Sequence, residues 1–200
     1  MQEDWILLIA FERGSDKAYC IVIGLTADER TNMMRLLPEM KLNHCLAVPV
    51  ALINMMTKKD SDEVKRHGGA LFQIEVQTRM HIYDQVPADA SDELVDARND
   101  QDKLDEITTK LNGILSRLSF HKMRLESSRT SLDRLCQWEE DFSSGDRKEG
   151  SSPKVVIERI QRYISSILHE LDFNLRIAQS QLEVVRPSSA PVTKLGAKER

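Results

Sequence analysis

The residues of this chain best suited to metal or nucleophilic chemistry are five histidines and three cysteines. No two of His44, His67, His81, His121 and His169 stand four apart, whereas a zinc-peptidase helix needs two histidines one turn apart on a single face. Only His44 adjoins a cysteine, Cys45; neighbours on a helix point in different directions, so the pair makes a poor nucleophile and base. Cys20, Cys45 and Cys136 form no Cys-x-x-Cys spacing, which suggests neither a zinc knuckle nor a disulfide framework. They read as buried free thiols of a reducing compartment. Gly68–Gly69 leads into no Gly-x-Gly-x-x-Gly or Gly-Lys-Ser/Thr phrase and reads as a chain break. No Gly-x-Ser-x-Gly elbow occurs either. His121 is expected to be a partly exposed packing residue. The expectation is a protein that is not an enzyme, with no catalytic, cofactor-binding or metal-ligating residue.

Charge patterning offers one further possibility for chemistry. Asp89, Asp92, Glu93, Asp96, Asp100, Asp102, Asp105 and Glu106 face only Arg98 and Lys103 over the same stretch. Farther along come Lys110, Arg117, Lys122, Arg124, Arg129 and Arg134, against Glu126 and Asp133. Acid near a helix start and base toward its end suits the helix dipole. Two alternatives stand beside that reading. Weak divalent-cation binding would use the acidic carboxylates, because hard cations choose oxygen ligands. Antiparallel self-association would set the acidic half of one copy against the basic half of another. The net charge of −4 gives no basic field for nucleic acid.

The elements that must position these residues are mostly helical. Composition is 30% charged but only 5% aromatic, which suits long exposed helices better than a thick core. Leu104, Leu111, Leu118, Leu125 and Leu132 recur every seven residues, beside a second seam of Ile107, Ile114, His121, Ser128, Leu135 and Phe142. Alternating spacings of three and four mark a helix whose stripe packs on another helix. From about residue 89 to 142 there is no proline, so this helix approaches about 80 Å in length. After the polar turn 143–153, Ser152–Pro153 forms a helix start. Ile157, Ile160, Ile164, Ile167, Leu168, Leu171, Leu175, Ala178, Leu182 and Val185 then form a stripe that Pro187 stops. A short polar loop between two such helices, 89–142 and 153–185, predicts an antiparallel helical hairpin over 88–186. The tail 187–200 is expected to be disordered. The packing or interaction residues singled out are Leu104, Leu111, Leu118, Leu125, Leu132, Ile157, Ile164, Leu171, Leu175 and Leu182.

The preceding region, 1–87, reads as a small α(+β) unit. Trp5–Phe11 and Ala18–Leu25 are apolar runs around a polar connector, which predicts a β-hairpin. Thr26 caps a helix with Glu29 at its third position, and Pro38 should end or kink it. Leu46, Val50 and Ile53 give an apolar face to a helix over 44–66, with Pro49 in its first turn. Over 70–83 the alternation of Ile74, Val76, Met80 and Ile82 with Glu75, Gln77, Arg79 and His81 favours a strand, while Leu71, Ile74 and Thr78 give a helical stripe. Both readings stay open on local pattern. No apolar stretch reaches the roughly 20 residues that span a bilayer, and Glu3 and Asp4 do not suit a signal peptide. A soluble, cytoplasmic, mainly α protein is expected.

Three phrases together resemble the cytoplasmic region of fungal CorA-like divalent metal-ion (Mg2+) transporters. They are NHCLAVPVALINMM, LFQIEVQTRMH and LDFNLRIAQSQLEVV, set around the leucine heptads. The matching residues are His44 and Pro49; Ile74, Glu75 and Thr78; and Arg176, Ser180, Gln181, Val184 and Val185. The resemblance covers about residues 42–185 and implies helix rather than strand over 70–80. The family conducts ions through two C-terminal membrane helices joined by a Gly-Met-Asn motif. This chain instead turns at Arg186–Pro187 into a polar tail, so no transport residue carries over. The resemblance implies a truncated stalk without a pore, which pairs with itself or with a membrane-embedded relative. A free-standing coiled-coil adaptor, recruiting a partner helix through its leucine seam, is the alternative.

Overall fold

A computed structural model describes residues 6–11, 18–40, 45–78, 101–142 and 153–185. The chain is mainly helical, with one two-stranded antiparallel sheet among the described residues. Strands β1 (Ile6–Phe11) and β2 (Ala18–Ile23) pair with Ile6 opposite Ile23 and Leu8 opposite Ile21. Because side chains alternate along a strand, this register collects Ile6, Leu8, Ile21, Ile23 and Tyr19 on one face, each more than half exposed. Gly24 follows β2 with φ of 94°, in the region that only glycine enters without strain.

Helix α1 (Ala27–Glu39) begins at a reciprocal capping box. The Glu29 N–H donates to Thr26 Oγ1 at 3.2 Å, and the Thr26 N–H donates to Glu29 Oε2 at 3.0 Å. Pro38 lies inside the last turn, and the helix stops one residue later. The other carboxylate oxygen of Glu29 accepts from Lys59 at 3.3 Å, which ties α1 to the next helix.

Helix α2 (Ala47–Thr78) corrects one expectation and decides between two readings left open by the local pattern, in favour of the helix that the resemblance implies. Gly68–Gly69 does not break the chain, and 70–78 is helical rather than a strand; residues 79–83 lie outside the described residues. Packing overrides the local pattern here. Val50, Thr57, Val64, Leu71 and Thr78 repeat every seven residues and are all buried, so one continuous stripe passes through the glycine pair. Gly68 is also a point of close approach: a Cβ there would come within 3.1 Å of Asn174. Gly69 has open space beside it.

Helices α3 (Gln101–Phe142) and α4 (Pro153–Val185) carry the heptad stripes. The stretches 89–100, 143–152 and 187–200, expected as helix start, turn and tail, lie outside the described residues. Lys122 pairs with Asp172 at 2.8 Å, and Gln161 donates to Asp133 at 2.7 Å. These contacts run in opposite chain directions, so the two helices lie antiparallel. Contacts from Gly68 to Asn174 and from Thr78 to Gln181 advance in the same direction, so α2 runs parallel to α4. One apolar cluster joins all three helices. Leu111, Leu118, Leu125, Leu132, Ile157, Ile164 and Leu171 are fully buried in it, while Leu104, Leu175 and Leu182 pack at its margin. No described helix is long and apolar enough to cross a membrane.

A buried polar cluster as candidate functional site

Buried polar side chains concentrate where the middle of α2 meets α3. From α2 come Thr57, Asp60, Ser61 and His67, and from α3 comes His121, all buried. Asp60 and His67 are a heptad apart on the face of α2 turned to the bundle. His121 occupies the second seam of α3, between Ile114 and Ser128. Helical periodicity therefore brings a carboxylate and two imidazoles into one layer.

His121 Nδ1 lies 2.8 Å from Asp60 Oδ1. A carboxylate accepts, so His121 donates through Nδ1–H and its Nε2 points away from Asp60. The second Asp60 oxygen has Arg124 Nε at 3.5 Å, in ion-pair range though without a hydrogen bond. The Arg124 guanidinium also lies over the Phe120 ring, 5.7 Å from its centre, a cation–π position. The Asp60 side chain is 1% exposed, and a buried charge is tolerable only when it is paired in this way.

His67 stands 6.1 Å from His121, ring centre to ring centre. Its Nε2 has no hydrogen-bond partner among the described residues; Glu63 Oε2 is at 3.9 Å, one turn back. Glu63 is itself ion-paired with Arg66. Burial, together with the charges of Arg66 and His121, pushes His67 below its ordinary pKa despite the nearby Glu63. The imidazole is accordingly neutral at physiological pH. One carboxylate oxygen of Glu63 and one nitrogen from each of His67 and His121 lie within 4.8 Å of one another.

This arrangement revises the view of His121 as a partly exposed packing residue: it is buried and bonded to an acid 61 positions away. Histidine spacing alone could not reveal the cluster, because its two imidazoles come from different helices. The available signal was the Glu63–His67 pair, one turn apart. The acidic stretch proposed for weak cation binding is described only in part. There Asp102, Asp105 and Glu106 are exposed, and Glu106 pairs with Lys110 at 2.6 Å. The Cys20 and Cys45 thiols are pushed up by burial, away from the reactive thiolate form.

The phrases behind the CorA-like resemblance also meet. Thr78 donates to Gln181 Oε1 at 3.0 Å, and both are buried. No protein-family model, curated protein or solved structure matches this chain.

Proposed function

We propose that this chain is a non-catalytic helical stalk, similar to the cytoplasmic region of CorA-like metal-ion transporters. The observation that carries the reading is the Thr78–Gln181 hydrogen bond. It joins the Ile74–Glu75–Thr78 phrase to the Arg176–Ser180–Gln181 phrase, two sequence features on which the resemblance rests. The continuation of α2 as helix to Thr78 also agrees with it.

In this reading the chain acts on the cytoplasmic side by associating with a second copy or with a membrane-embedded relative. The leucine seam argues against the adaptor alternative. Leu111, Leu118 and Leu125 are fully buried by the chain's own helices, so a recruited helix would first have to displace one of them.

Sedimentation velocity and co-solubilisation with a detergent-extracted CorA-like transporter test the proposal together. Self-association, or specific co-elution with the transporter, is expected. A monomer at every salt concentration that ignores the transporter would overturn the stalk reading.

A further inference from the structure

Three potential ligand atoms of Glu63, His67 and His121 already converge within 4.8 Å. Two further observations point from this cluster to a cation. His67 Nε2 is buried without a hydrogen-bond partner among the described residues, on a side chain only 6% exposed. His121 gives its Nδ1 proton to Asp60 at 2.8 Å, the outer-shell pairing that orients a metal-bound imidazole and leaves Nε2 to ligate. We propose that Glu63, His67 and His121 form a binding site for a divalent cation of the zinc type, with Asp60 as the positioning residue for His121.

The donor set selects the class of ion. Two imidazole nitrogens and one carboxylate oxygen suit zinc and its borderline neighbours. Magnesium and calcium require oxygen-rich shells, which this layer does not offer. Glu63, with a side chain one-third exposed, opens the layer to solvent, and water completes the coordination there. Arg66 holds the same Glu63 oxygen that faces His67. Its own side chain is 63% exposed, so it yields to a cation by swinging into solvent. Arg124 remains on the far oxygen of Asp60. The bound ion would fasten the middle of α2 to the middle of α3, whatever the chain associates with.

The test uses the full chain, freed of metal and titrated with Zn2+ against a chromophoric chelator, with Co2+ absorption reporting the ligand geometry. One ion per chain is expected, with a tetrahedral Co2+ spectrum. Glu63→Gln and His67→Asn should each weaken binding at least tenfold, and Asp60→Asn by about 10–100-fold, as outer-shell partners do. His169→Asn, at an exposed position of α4, should bind as the parent does. Circular dichroism of each variant separates lost ligation from lost fold, and Glu63→Gln, at the solvent edge, is the variant expected to fold regardless. Absence of zinc binding would overturn the proposal, as would binding that survives Glu63→Gln and His67→Asn. Binding abolished by Cys20→Ser or Cys45→Ser instead would do the same.

Discussion

At the scale of single residues, His121 and Thr57 show opposite outcomes of placing a polar group in a heptad seam. His121 finds a carboxylate at 2.8 Å, whereas Thr57, fully buried, has a hydroxyl with no partner among the described residues. An unsatisfied buried hydroxyl costs about 1–3 kcal/mol. Thr57→Val keeps the shape and removes the orphan, so chemical denaturation should show a gain of about 1 kcal/mol. A loss would mean that Thr57 is bonded in solution. His67 supplies a pH signature. Its folded pKa is depressed by burial first and by Arg66 and His121 second, so the unfolded chain binds the proton more readily. The His67 contribution is then fully present above about pH 6.5, the ordinary imidazole value, and is lost as pH falls below it. The stability of the parent should decline over that window, and His67→Gln should flatten the decline. An unchanged slope would place His67 in solvent. Residue spacing shows only the Glu63–His67 pair, one turn apart; the rest is hidden, because Asp60, Glu63 and His67 approach His121 only across a helix–helix interface.

At the scale of elements, α1, α3 and α4 were legible and the second half of α2 was not. A reciprocal cap announced α1, and uninterrupted apolar heptads announced α3 and α4. In α2 the stripe runs through Thr57, Asp60, Ser61 and His67, so its middle looks like a solvated face. Gly68–Gly69 then imitates a break, and alternation in the following residues imitates a strand. Burial against α3 and α4 outweighs the helix penalty of two glycines, about 0.8–1 kcal/mol each. That difference can be measured. Gly69→Ala meets open space and should raise stability by about 1 kcal/mol. Gly68→Ala must displace the Asn174 amide, 3.1 Å from the new Cβ, and should gain distinctly less. Equal gains in thermal or urea unfolding would mean that α2 and α4 do not approach closely at Asn174.

At the scale of the whole molecule, the leucines that suggested an interaction seam are the shared interior of α2, α3 and α4. Leu118→Ala should therefore cost about 2–5 kcal/mol, the usual range for a fully buried leucine, in one cooperative transition. A cost near zero would mean that the seam is a surface. The sequence predicts two long helices beyond a separate small region; α2 joins them as a third partner through residues that are partly polar and reveal their purpose only when paired. The Asp60–His121 bond is what holds α2 on α3 at mid-helix. A double-mutant cycle on Asp60→Asn and His121→Gln, read by urea denaturation of the full chain, tests this. A coupling of about 1 kcal/mol or more is predicted for groups that share a buried network. Additivity within about 0.3–0.5 kcal/mol, as for residues that do not touch, would mean that this bond does not join the two helices.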